Sequence, residues 1–418
     1  MAFAPRSAGL LRDYGGTARI ADPEETLRNL EQVRRLVGIS RLANITGLDS
    51  AGIPTWMAIR PLARSVTVSQ GKGISHAAAK VSAIMEAAEL FHAEHLLPAG
   101  DKVTLAEAAR SRRFVDISFL PIRDSADLSP ERPVRWIAGK CLISGNAQWY
   151  PRQIIDLDLV DRDGEAEPFT SSSNGLASGN SLEEATIHAI CEVMERDHCT
   201  FFQMKENLAP YLHSNRLKLG TISDPDCRHV LAKIEQSGLK CAIWSVADEP
   251  GVPSFTCDIY DADNSTPYPV RASGAGCHPR KRIALLRALT EALQSRLTFI
   301  AGARDDLLWK TYRKDIPVTA LANKIWMEQR QYEAELVDFE TINDFGSGTD
   351  DPHELVDELL AALETCGFNN VIRTDLTSDP INIPVVHVFI PGMEPRIETD
   401  SYCPGPRMMK FLEEIIQS

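Results

Sequence analysis

The sequence predicts a mixed α+β chain folded as one interwoven unit. Segments of helical period alternate with apolar strand-like runs, the pattern of a protein with substantial sheet. No low-complexity linker and no repeat of fixed period interrupts them. The composition is ordinary globular, with 44% hydrophobic and 24% charged residues over 418 positions.

The elements follow in order. Pro23 after Asp22, with Leu27, Leu30 and Val33 at helical spacing, predicts a helix over 23–37. NITGLDSAGIPTWMAIRP reads as a turn and then a strand ending near Arg60. SVTVSQGKG is a strand entering a Gly-rich turn, and a long helix covers about 75–95. WIAGKCLI and AQWYPRQIIDLDLV pair as strands about the Ser144-Gly145-Asn146 turn. SSSNGLASGN, residues 171–180, reads as a polar loop. Ser181 ahead of Glu183 and Glu184 then starts a helix to about Lys205. A helix over 228–237 precedes the strands KCAIWSVAD and SFTCDIYDA. SGAGCHPRKR reads as a loop leading into a helix over about 279–301. Residues 353–366 form a helix, IPVVHVFIPG a strand, and the last eleven residues a helix end.

Lys and Arg total 44 against 58 Asp and Glu, a net charge of −14. That balance argues against nucleic acid as the main partner, since phosphate backbones need a basic field. No apolar run approaches the roughly 18 residues of a membrane span, and the N-terminus lacks the apolar core of a signal peptide. The nine cysteines are scattered with no C-x-x-C pair, which fits reduced thiols and a cytoplasmic location.

Three helices carry matching carboxylate faces. Ser82, Glu86 and Glu89 lie within roughly 60° on one face. Isolated acidic faces are usually solvated and paired with Lys or Arg one turn away. Yet no Lys or Arg occurs between Val81 and Asp101. Two close carboxylates repel by about 3 kcal/mol at an effective dielectric near 20, so a cation or a raised pKa is expected. Glu184, Glu192 and Glu195 fall within roughly 80° on a second helix, with His188 on the same face and Arg196 following. Glu291, Gln294 and Arg296 form the third group, within about one and a half turns. Convergent carboxylates with Lys72, Arg196 and Arg296 would build a metal-nucleotide site, because Mg²⁺ prefers oxygen ligands shared with phosphates. The GKG turn at 71–73 lacks the spacing of a P-loop.

SQGKG…SAIMEAAE, NGLASGNSLEEATIHAICEVMERD and ALTEALQSR resemble the three ATP-binding motifs of the YcaO superfamily. The match spans Leu42 to about Asp306 and is weaker beyond. The resemblance implies an ATP-binding fold unlike P-loop or protein-kinase domains. It implies one YcaO-type catalytic domain over 1–418: an N-terminal segment 1–60, motifs within 61–306, and a C-terminal part 307–418. It implies Mg²⁺ and ATP as cofactors and activation of a peptide backbone amide. Phosphorylation turns the amide oxygen into a leaving group after a nucleophile has added to the carbon. A neighbouring Cys, Ser or Thr would give an azoline, and external sulfide a thioamide.

Residue by residue, the resemblance makes Lys72 a phosphate contact. Ser82, Glu86 and Glu89 match the first nucleotide and metal motif. Asn174, Glu184, Glu192, Glu195 and Arg196 match the second, with Glu192 and Glu195 the leading Mg²⁺ ligands. Glu291, Gln294 and Arg296 match the third. Glu86, Glu89, Glu184 and Glu291 are the further metal candidates. His188 is expected to pack between helices.

Azoline-forming members end in a Pro-rich tail, whereas this chain has only Pro404 and Pro406 in SYCPGPRMMKFLEEIIQS. A separate leader-binding domain ahead of the first motif is not expected. ITGLDSAGIPTWMAIRP, SNGLASGN and IPGMEP…YCPGPR resemble the TfuA-associated branch. That implies thioamide formation on a precursor peptide or protein, with a TfuA-like partner delivering sulfur and a homodimer by analogy. An azoline-forming cyclodehydratase is the alternative, and a non-catalytic ATP-binding accessory protein the second alternative. Cys199, in CTFF, is expected to pack, and Cys403 stands as a minor candidate sulfur carrier.

Overall fold

Most helices begin where a short polar side chain can hold their first free N–H groups. In the computed structural model, which describes residues 3, 9–124, 126–160, 168–208, 215–261, 271–304, 336–397 and 402–417, Asp22 caps α1 (Pro23–Asn29) through Glu24 N. The helix expected over 23–37 breaks at Leu30, and α2 runs Glu31–Leu36. Ser75 caps α3 (His76–His95), and Thr104 forms a capping box with Glu107 ahead of α4 (Leu105–Ala109). Ser181 Oγ accepts from Glu184 N at the start of α5 (Leu182–Leu208). Asp224 caps α6 (Pro225–Gln236), and α7 (Lys281–Ala301) ends at Gly302 in the left-handed region. Asp351 caps α8 (Pro352–Thr365), and α9 covers Pro406–Gln417.

Four sheets form among the described residues. The strands β1 (Arg12–Asp13) and β2 (Ala18–Arg19) make a short ribbon. An antiparallel sheet follows in the order β3 (Arg41–Asn44), β4 (Thr55–Ile59), β5 (Val68–Lys72). The largest sheet uses β6 (Asp101–Thr104), β7 (Pro133–Cys141), β8 (Ala147–Pro151), β9 (Leu176–Ser178), and two later strands, β15 (Ile372–Asp375) and β16 (Val385–Phe389). Its order is β6-β7-β15-β16-β9, with β8 paired to β7. The last sheet has β10 (Arg216–Leu217), β11 (Leu239–Ser245), β12 (Ser254–Asp261), β13 (Arg271–Cys277) and β14 (Leu336–Val337), in the order β13-β12-β11-β10-β14. This is the mixed α+β architecture predicted. Residues 307–335 of the expected C-terminal part lie outside the described residues. No described helix is long and apolar enough to cross a membrane.

Three further expectations are corrected. β8 stops at Pro151 and a 3-10 turn follows, so the strand is shorter than read. The stretch 171–180 contains the buried strand β9. SGAGCHPRKR opens with most of β13, Ser273 to Cys277, rather than with a loop. Its glycines are there for proximity. A Cβ on Gly274 would lie 2.2 Å from Ala292 N, and one on Gly276 would lie 2.1 Å from Ala284 O, both on α7. Gly71 plays the same part in β5, where a Cβ would lie 2.1 Å from Ala79 O and Ala83 N of α3.

α3 packs on β4 and β5, α7 on β12 and β13, and α5 on β9, β16 and α8. One core gathers α3 alanines with Trp136, Tyr150 and Phe169. A second joins α5, α8 and β16, and a third lies between α6, α7 and the sheet of β10 to β14. The three long helices thereby point toward a common cleft.

Candidate functional site

β5, β9 and β13 each stand at the edge of their sheet. An edge strand leaves N–H groups without ladder partners, and these need acceptors when buried. Carboxylates from the long helices supply them. Gln70 N donates to Glu86 Oε2 at 3.0 Å. Ser178 donates to Glu89 Oε1 through its N at 2.8 Å and its Oγ at 2.6 Å. Cys277 N donates to Glu195 Oε2 at 3.0 Å, and Ala275 N to Glu291 Oε1 at 3.4 Å. Glu184 accepts from Ile20 N at 3.0 Å and Asn180 N at 3.2 Å.

These side chains wall a cleft of about 410 Å³. Lys72, Ser82, Glu86, Glu89, Glu184, Glu192, Glu195, Arg196, Glu291 and Gln294 all line it. Gln294 Nε2 donates to Gln70 O at 2.9 Å, linking α7 to β5. Two of the proposed residues lie elsewhere. Arg296 is buried in an ion pair with Asp49, Nε to Oδ2 3.3 Å, and does not line the cleft. Asn174 lines an adjoining cleft instead, with its Oδ1 buried and unpartnered.

The structure adds residues that the motif reading passed over. Arg19, Ser178, Asn180, Arg287 and Arg304 line the cleft. Arg287 lies one turn before Glu291, so following the same face of α7 backwards would have found it. His188 lines the cleft rather than only packing between helices, and its Nε2 accepts from Arg287 Nη2 at 2.9 Å. Burial and the neighbouring Arg287 keep its imidazole neutral, well below the usual histidine range. Cys199 packs as expected, against the cluster of Ala242, Trp244, Val246 and Tyr260. Burial and the Glu195 carboxylate push its thiol up to about 12, which suits packing rather than nucleophilic work.

Charge divides the cleft. Burial pushes the carboxyl of Glu86 up to about 7 and that of Glu192 up to about 7. Burial, with Glu192 and Glu86 nearby, carries Glu89 to about 8 against the pull of Ser178. Burial and Glu291 also raise Glu195. Burial opposes ionisation of Glu291 too, but Lys72 and Arg196 outweigh it and hold this carboxyl low. The Lys72 Nζ lies 2.7 Å from Glu291 Oε2. Arg196 keeps its charge despite burial because Glu192, Glu195 and Glu291 surround it.

This donor set fits Mg²⁺ with nucleotide phosphates. Its acidic ligands are all oxygen, several buried carboxylates lack enough positive charge to ionise fully at neutral pH, and Lys72, Arg196 and Arg287 stand ready for phosphate. Among the described residues no three His, Cys, Asp or Glu side chains form a closed metal cage. Mg²⁺ usually takes one or two carboxylates plus substrate phosphates rather than such a cage.

A family model described as YcaO cyclodehydratase, ATP- and Mg²⁺-binding, matches residues 70–394. The chain is 31% identical over 395 residues to an uncharacterized protein in the tfuA 3′ region of Rhizobium leguminosarum bv. trifolii, covering 93% of this chain and 91% of that relative. Its fold is similar to YcaO from Methanopyrus kandleri bound with AMPPCP and Mg²⁺, with TM-score 0.71, 21% identity, and 92% and 95% of the two chains covered. It is also similar to a heterocyclase in complex with substrate and cofactor, with TM-score 0.74, 20% identity, and 99% of this chain and 58% of that chain covered.

Proposed function

Since the chain belongs to the YcaO family of ATP- and Mg²⁺-binding, peptide-modifying enzymes, we propose that it converts a backbone amide of a peptide or protein to a thioamide, with sulfide delivered by a TfuA-like partner. The observation that carries this branch is the relative from the tfuA 3′ region, which matches over 93% of the chain.

The reaction balances as follows. Hydrosulfide adds to the amide carbon, and the former carbonyl oxygen takes the γ-phosphoryl group of ATP. Phosphate then leaves with that oxygen and the proton brought by hydrosulfide, so thioamide and ADP remain. Bound Mg²⁺ would neutralise phosphate charge. Glu192 and Glu195 of α5, with Glu86 and Glu89 of α3, are the residues that would hold it. Lys72, Arg196 and Arg287 would bind phosphate oxygens, and neighbours place two of them. Glu291 holds Lys72, and neutral His188 accepts from Arg287 and orients it.

The test is co-expression of the chain with the peptide or protein encoded beside its gene, with and without a TfuA-like neighbour, followed by intact mass. A gain equal to the sulfur-for-oxygen difference, dependent on a sulfur source, is the expected result. Loss of one water would replace this reading with azoline formation. Nucleotide binding without any product would make the chain an accessory protein.

A further inference from the structure

Beside the nucleotide cleft lies a second one of about 380 Å³, and Glu192 and Arg196 line both. Its outer wall is firmly built. Glu394 accepts from Tyr402 OH at 2.8 Å and from Gly405 N at 3.1 Å. Asp197 accepts from Glu394 N at 2.7 Å and from Arg407 Nη1 at 2.7 Å. Both carboxylates are almost fully buried, at 3% and 0% exposure, so Tyr402 and Cys403 are fastened to α5 right beside Arg196. A backbone bridge between Arg123 and Tyr402 ties the Ile122–Arg123 stretch to the same segment.

The lining suits a peptide. Ile122, Leu157, Leu159 and Pro395 give it an apolar side. Asn174 Oδ1 is buried there without a partner, an acceptor that lacks an N–H donor. Its charge is opposite to that of the whole molecule. Arg123, Arg196 and Arg396 face one carboxylate, Glu192, in a chain of net charge −14. The neighbouring glutamates offset Arg196. Arg123 and Arg396 are exposed, and neither is ion-paired to another described residue. A small anion would not need the apolar side or a space of this size.

We propose that this cleft holds the substrate peptide, and that Arg123 and Arg396 select a peptide with an acidic side chain close to the amide that reacts. The proposal rests on the reading of the chain as a peptide-modifying enzyme and adds the substrate's chemistry to it. Asn174 would accept a backbone N–H of the peptide, and the Glu192–Arg196 boundary is where the peptide would meet the nucleotide.

The experiment uses the full chain with Mg²⁺ and a non-hydrolysable ATP analogue. Three pools of short fluorescent peptides are random except for the residues flanking a central glycine, which are Asp/Glu, Asn/Gln or Lys/Arg. Fluorescence anisotropy should show the acidic pool binding at least about tenfold more tightly than the neutral one. In Arg123→Ala/Arg396→Ala the acidic and neutral pools should bind alike, with nucleotide affinity kept within about twofold. In Arg123→Glu/Arg396→Glu the preference should pass to the basic pool, a reversal that mere loss of structure would not produce. Equal binding of the pools to the native chain, no binding of any pool, or a preference that survives the alanine variant overturns the proposal. Nucleotide binding is measured separately. Its failure would strike the ATP reading, while the peptide preference would be judged without nucleotide.

Discussion

The helices α3 and α7 bring carboxylates to one cleft by the same device and leave them in opposite states. Each follows an edge strand after a short turn, and each accepts a strand N–H on a glutamate sixteen residues later, Gln70 to Glu86 and Ala275 to Glu291. Gly71 and Gly274 make room for the contact. Yet Glu86 is pushed up to about 7 by burial, while Glu291 is held low against its burial by Lys72 and Arg196. A donated N–H does not by itself ionise a buried carboxyl, whereas a full charge at 2.7 Å does. The α3 side is therefore the side that an external cation would charge.

The comparison can be broken most completely at α5, which faces both helices. Glu192→Ala with Glu195→Ala should abolish Mg²⁺-dependent ATP turnover with the circular dichroism spectrum unchanged; normal turnover would remove α5 from the site. The shared device can be broken next. Gly71→Val or Gly274→Val puts a side chain into helix backbone, and urea unfolding should show a loss of about 3 kcal/mol or more. Lys72→Met should narrow the difference instead. Glu291 would then titrate nearer to Glu86, and kcat/KM for ATP should fall about a hundredfold. The smallest effect is on the native protein. Glu86, Glu89 and Glu192 are protonated below about 7, 8 and 7, so Mg²⁺-dependent nucleotide binding should weaken as pH falls from 8 to 6. Binding should release protons, which calorimetry in buffers of different ionisation enthalpy would register.

α3 was readable because its signals are local. Ser75 caps it, its carboxylates share one face, and the expected span of about 75–95 matches His76–His95. β9 and β13 were not, because the Ser and Gly in and around them resemble those of loops and the reason for them lies far along the chain. For β13 the missing clue was a stripe of small residues on its partner helix, Ala284, Ala288 and Ala292 on α7, which lets backbones approach. Arg296 was misplaced by arithmetic that the sequence itself could correct. Five residues after Glu291 it lies about 140° around the helix, and there it meets Asp49. Asn174 and the tail around Tyr402 could not be placed at all from local pattern, since Glu394 and Asp197 bring that wall together across long stretches of chain.

Among the described residues the sheets that end in β5, β9 and β13 share no ladder hydrogen bond, and glutamates stitch their edges to the helices. A nucleotide that fixes those glutamates would tighten several seams at once. The amides of Gln70, Ser178, Ala275 and Cys277 should then slow their hydrogen exchange together on nucleotide binding, which makes the interior of the protein a reporter of events at its mouth.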